Sequence, residues 1–311
     1  MAVGKGGMFF TFTAFMILAL VFAQIFYQAE KNPGEEAMHV ASKVSTLNAF
    51  VNGFETDVER GFFIITFRAL LAASSHISDT GIFLDDSNAR LHEAVINGSF
   101  NSTYSLAMEN STLGDWLASL QSEASKLGVR LNFSYSGFNV SQVSPWIVGF
   151  SFNVSYNLTD FTNTASFKRS LIVRSNISII NLEDPVYRLN TNGQIIRKIN
   201  QTPYEEDYVS GLDVSNLIAH IDGRFYTNSS GPSFLMRLEG NLSDSEFGIE
   251  SFVVLTEHAD QELPVYERSA VDYIYFNATP VPFYTINNTY EGWFRLDGGH
   301  LDKYQASDIA K

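Results

Sequence analysis

Val148-Gly-Phe-Ser-Phe-Asn-Val-Ser-Tyr-Asn-Leu158 alternates apolar and polar residues without a break. Successive side chains of a strand point to opposite faces, so a period of two separates them cleanly. Val148, Phe150, Phe152, Val154, Tyr156 and Leu158 share one face, and Gly149, Ser151, Asn153, Ser155 and Asn157 the other. Such alternation marks an antiparallel strand with one wet face. The neighbouring stretches repeat it. Leu131, Phe133 and Tyr135 alternate with Arg130, Asn132 and Ser134, and Leu171, Val173, Ile177 and Ile179 with Ser170, Arg174, Asn176 and Ser178. Residues 129–182 are therefore expected to form an antiparallel sheet whose apolar face covers the helices before it.

Those helices are read from a different period. From Glu35 to about Ile77 there is no Pro, and Val40, Val44, Leu47, Val51, Phe54, Val58, Gly61 and Ile65 recur at gaps of four and three. That 3.5 repeat is a coiled-coil seam, which seeks a partner helix in its own chain or in a neighbouring copy. Val40, Val44, Leu47, Val51, Phe54 and Val58 are the candidate assembly stripe. Past Glu59 the sequence is apolar nearly all round, which predicts burial on several sides. Asp79-Thr80-Gly81 should end this helix. A short helix over Ser87–Ile96 follows, with Asp85 or Asp86 as its N-cap. A third over Thr112–Leu127 is capped by Thr112 with Asp115 three residues on and stopped by Gly128. Residues 35–128 thus read as a helical stem.

Met8–Tyr27, MFFTFTAFMILALVFAQIFY, carries no charge. At ~1.5 Å per residue a helix of this length matches the ~30 Å hydrocarbon core of a bilayer. We read residues 8–30 as a hydrophobic transmembrane helix, 1–7 as a cytoplasmic leader, and Asn32-Pro33-Gly34 as a break. Lys5 precedes the run and Glu30, Lys31, Glu35 and Glu36 follow it, so the positive-inside bias places the N-terminus in the cytoplasm and the C-terminal part outside. A secretory signal cut at Val21-Phe22-Ala23 is the competing reading. The run stays apolar past that site, which favours a retained helix.

The chain carries a formal charge of −14 with pI 4.8, which argues against nucleic acid as a partner. With no cysteine, disulfide stapling, thiolate zinc sites and thiol catalysis all drop out. Asn97, Asn101, Asn110, Asn132, Asn139, Asn153, Asn157, Asn176, Asn200, Asn228, Asn241, Asn277 and Asn287 all stand in N-x-S/T sequons. That density is expected of an exported, glycosylated surface. Asn, Ser and Thr are also common on polar strand faces, which is the plainer reading.

Residues 183–311 read as a second β-rich part. Val186–Leu189 and Ile195–Ile199 around Asn190-Thr-Asn-Gly193 look like a hairpin. Further strands are expected at Arg224–Thr227, Ser233–Glu239, Ser251–Thr256, Ala270–Asn277 and Trp293–Leu296, with a short helix over Asp213–His220. Asp297-Gly-Gly-His300-Leu-Asp302 is the one compact set with metal-ligand chemistry, and a polar turn explains it equally. Asp79, Asp85 and Asp86 lack EF-hand spacing. His220, His258 and His300 with scattered Ser and Asp could be drawn as a hydrolase triad, but there is no G-x-S-x-G. Glu205-Glu206-Asp207 has the groups for glycoside chemistry and reads better as a solvated turn. Gly-rich phosphate loops are missing. We therefore assign no catalytic residue, metal or cofactor.

Lys5-Gly6-Gly7, then an unbroken apolar run, then a long helix feeding an antiparallel β domain, resembles an archaeal type IV pilin or pilin-like protein. The resemblance implies a leader cut by a prepilin peptidase at Gly6 or Gly7, giving a mature start at Gly7 or Met8. It also implies N-terminal helices packed as a filament core with β domains outside. The usual Gln after the cut is absent, and the Glu found at the fifth mature position of bacterial pilins would here be Thr11 or Phe12. Pro232–Gly240, Gly248–Ser251 and Val271–Tyr275 are similar to uncharacterised archaeal secreted proteins, a likeness that implies no activity. The expected molecule is an α+β, single-pass extracellular glycoprotein of the cell membrane, a filament subunit or surface scaffold and not an enzyme. Its expected partners are the membrane, copies of itself or related pilin-like subunits, and the peptidase. The alternative is a monomeric anchored ectodomain for ligand binding or carbohydrate or peptide hydrolysis.

Overall fold

The computed structural model describes residues 16–21, 33–278, 280–290 and 292–311. Most of the apolar run 8–30, and Gly6 and Gly7, lie outside them. Residues 16–21 are helical, with Met16, Ile17, Leu18, Leu20 and Val21 exposed. Mixed helix and antiparallel sheet give the α+β class.

Helix α1 runs from Pro33 to Thr80. Pro is tolerated in a first turn, where its missing N–H has no intrahelical partner to lose. The helix stops where Gly81 takes a left-handed φ of 68° and its N–H reaches the Ile77 carbonyl at 2.9 Å. Helix α2 (Ser87–Asn97) is capped by Asp86, whose carboxylate accepts from the Ala89 N–H at 2.9 Å. Helix α3 (Leu113–Lys126) opens on a reciprocal box. Thr112 Oγ1 accepts from the Asp115 N–H, and the Asp115 carboxylate accepts from the Thr112 N–H, both at 3.1 Å. The two-residue strands β1 (Ser99–Phe100) and β2 (Thr103–Tyr104) form a small hairpin between α2 and α3. Strands β3 (Val129–Ser144), β4 (Ile147–Asp160) and β5 (Ser166–Ser178) then make one sheet in the order β3-β4-β5.

Two compact units emerge from the contacts. One takes the described residues of Met1–Glu55, with Gln121–Phe133 and Tyr156–Arg169. In it Phe54 meets the Tyr156 ring edge-on at 4.7 Å. The Glu55 carboxylate accepts from the Tyr156 hydroxyl and from Arg169 at 2.8 Å. Lys43 pairs with Asp160 at 3.4 Å, and Asp160 accepts from the Ala165 N–H at 2.7 Å in the turn between β4 and β5.

The other unit takes Thr56–Leu120, Ser134–Ser155 and Ser170–Lys311. Phe62 of α1 stacks at a tilt on Phe152 at 4.4 Å, and Thr66 shares a buried hydrogen bond with Ser175 at 3.0 Å. Gly61 belongs to the seam because a Cβ there would lie 2.4 Å from the Trp116 ring. Among the described residues one helix, Val40–Thr80, is long and apolar enough to cross a membrane, and half of its most apolar window is buried inside the chain. The burial on several sides expected past Glu59 is met in part, with Phe62, Ile65, Ala69, Leu70, Ala72, Ala73 and Ile77 buried. Phe63, Ile64, Phe67 and Leu71 are exposed on the face turned away from Phe62 and Ile65.

Downstream, several expected strands are helices. Helix α4 (Pro185–Asn190) replaces the first arm of the hairpin, because Asp184 caps the Val186 N–H at 2.9 Å and Pro185 opens the first turn. Helices α5 (Ser215–Asp222), α6 (Phe234–Leu238), α7 (Leu255–Asp260) and α8 (Asp272–Asn277) follow. Three of these, α6, α7 and α8, overlap the strands expected at 233–239, 251–256 and 270–277. The period over five or six residues is too short to separate two from 3.6; α6 has a side-chain cap, Ser233 accepting from the Met236 N–H, whereas α7 and α8 have none. Short antiparallel pairs link β6 (Thr227–Ser229) to β7 (Gly248–Glu250) and β8 (Phe283–Thr285) to β9 (Arg295–Asp297). Around them Leu217, Ile221, Phe252, Val271, Phe294 and Tyr304 form a core.

Candidate functional site

The site is built on a buried charge knot. Arg237 of α6, Asp184 and Asp272 have no exposed surface. Arg237 donates from Nη1 to Asp184 at 2.6 Å and from Nη2 to the Ile249 carbonyl at 2.6 Å and to Asp272 at 3.2 Å. Asp272 also accepts from the Ser251 N–H and hydroxyl at 3.1 and 2.9 Å. Burial pushes the Asp272 carboxyl up against the pull of Arg237, while the two carboxylates hold the guanidinium charged despite its own burial. The knot ties α6, β7 and α8 together and so fixes the two residues beside it, Glu250 and Tyr273. β7 approaches the chain closely here: a Cβ on Gly248 would lie 1.8 Å from the Gly231 carbonyl oxygen.

Glu250 is fully buried yet gathers three partners. Its Oε1 accepts from the Tyr304 hydroxyl at 2.6 Å and pairs with Lys303 at 2.7 Å, and its Oε2 meets His300 Nε2 at 3.1 Å. His300 Nδ1 lies 2.8 Å from the Asp297 carboxylate, which also accepts from Ser269 at 2.8 Å. With a carboxylate at each nitrogen, His300 is doubly protonated and donates from both. Burial opposes that charge, but the bonds to Asp297 and Glu250 outweigh it and raise its pKa to about 9. Burial likewise opposes the Glu250 carboxylate, and His300 and Lys303 still hold it down to about 2. Burial, with Glu250 and Asp272 adding to it, pushes the Tyr273 phenol up, so it stays a neutral hydroxyl. Its oxygen lies 3.2 Å from His300 Nε2.

This cluster floors a cavity of about 520 Å³. Asn228, Ser229 and Ser230 form one wall, Asp244 and Glu246 stand at its exposed rim, and Ile274 and Pro145 add apolar surface. The arrangement holds donors and acceptors in fixed places with their charges internally balanced. Such a cavity is equipped to orient a small polar molecule.

The sequence candidates distribute as follows. Asp297 and His300 are joined, but Asp302 is exposed and accepts from Ser307 at 2.6 Å. Among the described residues no group of three His, Cys, Asp or Glu is arranged to hold a metal. His220 is buried beside Thr202 Oγ1 at 2.9 Å, and burial lowers its pKa to about 3. Burial also lowers that of His258. Among the described contacts, neither joins a serine–carboxylate pair. Glu205, Glu206 and Asp207 lie in an exposed turn, Asp86 is a cap, and Asp85 pairs with Arg90 at 2.9 Å. Asn97, Asn101, Asn110, Asn132, Asn139, Asn153, Asn176, Asn228, Asn241 and Asn277 are exposed, and Asn157, Asn200 and Asn287 half-buried. In the stripe, Leu47, Val51, Phe54 and Val58 are buried within the chain, whereas Val40 and Val44 are exposed.

Glu250 is the residue that sequence reasoning missed. It stands 50 positions from His300, and the pairing of Thr227 with Glu250 across β6 and β7 and the Arg237 bond to the Ile249 carbonyl bring it to the cavity. The chain matches no protein-family model, no curated protein and no solved structure.

Proposed function

We propose that this chain is a membrane-anchored extracellular glycoprotein that assembles as pilins do, through its N-terminal helices, with its sheet-bearing part outside the cell. One observation carries the reading. Along α1 the seam from Leu47 through Ile65 is buried, yet Val40 and Val44, nearer the apolar run, are exposed. A seam that is core at one end and bare at the other suits a subunit that lends the bare end to a membrane or to neighbouring helices. The exposed sequons support a glycosylated outer surface. The implied partners are the membrane, copies of the chain or related pilin-like subunits, and a prepilin peptidase acting at Gly6 or Gly7. No catalytic role is assigned. N-terminal sequencing of the native protein with electron microscopy of the cell surface tests the reading. A start at Gly7 or Met8 in filamentous material supports it, and a start at Gln24 in a dispersed protein overturns it.

A second reading, an anchored ectodomain that binds a ligand as a monomer, draws on the cavity above Glu250 and His300 and on the private cover of Val51 and Phe54. Sedimentation of the detergent-solubilised chain at rising concentration separates the two.

A further inference from the structure

Burying Glu250, Asp297 and His300 together costs more desolvation than a packed apolar floor would. The Arg237 knot carries a similar cost in solid core, where it ties three elements together. The Glu250 cluster instead opens on a cavity of about 520 Å³, which is where strongly perturbed groups point to binding.

The groups facing the void select the chemistry. The single His300 Nε2–H is shared between Glu250 at 3.1 Å and the Tyr273 oxygen at 3.2 Å, so Tyr273 keeps its own proton to donate. Lys303 spends two of its three N–H groups on Glu250 and the Asn228 carbonyl, each at 2.7 Å, and keeps the third. Ser229 accepts from the Gly231 N–H at 2.9 Å and retains its hydroxyl proton. Asp297 on the floor and Asp244 and Glu246 on the rim supply acceptors. Donors and acceptors thus line one cavity together with the apolar surfaces of Ile274 and Pro145. A largely apolar ligand would leave these polar groups unpaired. An anion would meet two rim carboxylates that form no ion pair among the described residues, while His300 and Lys303 are already neutralised by Asp297 and Glu250.

We propose that this cavity binds a saccharide, whose vicinal hydroxyls each donate and accept and whose C–H face covers the apolar patch. The proposal rests on the cavity being a binding site and is independent of whether the chain assembles. Asn228 stands in the wall and opens a sequon, so a glycan attached there would begin beside the cavity. The test therefore uses protein made without N-glycans.

The full chain in detergent is titrated at pH 6 with glucose, galactose, mannose, glucosamine, glucuronate and putrescine, followed by ligand-observed NMR. At least one neutral hexose is expected to bind, glucosamine severalfold more tightly than glucose, and glucuronate more weakly. Tyr273→Phe and Lys303→Met should each weaken binding about fivefold, the worth of one hydrogen bond. The exposed rim pair Asp244→Asn with Glu246→Gln, which should not disturb folding, should erase the glucosamine preference. Thermal melts check the fold of each variant. Binding of putrescine without any sugar would make this an amine site and overturn the proposal. So would binding of none of the six, or sugar binding indifferent to Tyr273→Phe in a folded protein.

Discussion

Arg237 Nη1 lies 2.6 Å from Asp184 Oδ2, and neither side chain has any exposed surface. Removing Asp184 leaves the fully buried Arg237 with Asp272 as its one remaining carboxylate partner among the described residues. Asp184→Ala, which also frees the α4 cap and the Tyr226 hydroxyl, should lower unfolding free energy by about 3–5 kcal/mol. The half-exposed Glu55–Arg169 pair provides the contrast, and Arg169→Ala should cost under about 1 kcal/mol. Urea unfolding followed by tryptophan fluorescence gives both values. Similar midpoints for the two variants would refute the ranking.

His300 and Glu250 set opposite ends of a pH profile. The folded pKa of His300 is raised to about 9 from 6.5. Its contribution is therefore full below about pH 6.5 and is lost as pH rises through 9, on the order of 3 kcal/mol in all. Glu250 is depressed to about 2 from 4.5, so its contribution is present above about pH 4.5 and lost as pH falls through 2. His220, lowered to about 3 by burial, adds an acid-side loss that begins below about pH 6.5, where the unfolded imidazole takes a proton. Stability should rise from pH 9.5 to 6.5 and decline below it. His300→Gln should flatten the alkaline limb and, because His300 helps hold Glu250 down, also alter the acid limb. An unchanged alkaline limb in that variant would show that His300 is not held charged.

How far this was legible from residues depends on how far apart the interacting groups lie. The β3-β4-β5 sheet, the capped helices α2 and α3 and the stop at Gly81 each depend on neighbours within a few positions, and the pattern of those neighbours is in the sequence. Asp184-Pro185 carried a helix start as plainly as any residue pair, with the Asp as N-cap and Pro in the first turn, but Asn-Thr-Asn-Gly after it looked like a hairpin turn. Phe63, Phe67 and Leu71 show the limit of composition: an apolar helix face says only that it lacks charge, and whether the chain covers it is decided by packing. The site divides in the same way. Asp297 and His300 are a turn apart and stand together in the sequence, whereas Glu250 and Tyr273 reach them through the Arg237 knot and the β6–β7 pairing, which no local pattern encodes.

Two glycines of α1 should respond in opposite directions. At Gly61 a methyl group would sit 2.4 Å from the Trp116 ring, so Gly61→Ala should destabilise by about 1–3 kcal/mol through overpacking. At Gly53 there is nothing within 4 Å, and Gly53→Ala should stabilise by roughly 0.5–1 kcal/mol because the helix loses its most entropically costly residue. Thermal melts of the two variants check the signs. A stabilising Gly61→Ala would mean that Trp116 does not rest on the helix.

Val44 and Val51 sit seven residues apart on one seam and should behave differently. Val51 is 4% exposed and Val44 43%. Val51→Asp places a carboxylate where Leu47 and Phe54 are also buried, and an unpaired buried charge there should cost several kcal/mol and unfold the surrounding helix. That loss occurs whether or not copies associate, so it says nothing of assembly. Val44→Asp is the informative change. In the folded single chain its side chain meets water, so the melting temperature should move little. If α1 pairs with a neighbouring copy through the bare end of its seam, the same aspartate desolvates on association and should weaken it by tenfold or more. Sedimentation of the detergent-solubilised chain, wild type against Val44→Asp over a hundredfold range of concentration, reads this directly. Oligomers that dissociate in the variant while the fold holds are the expected outcome. A wild type that stays monomeric throughout, or oligomers indifferent to Val44→Asp, would take the exposed seam out of assembly and leave the anchored, ligand-binding ectodomain as the stronger reading.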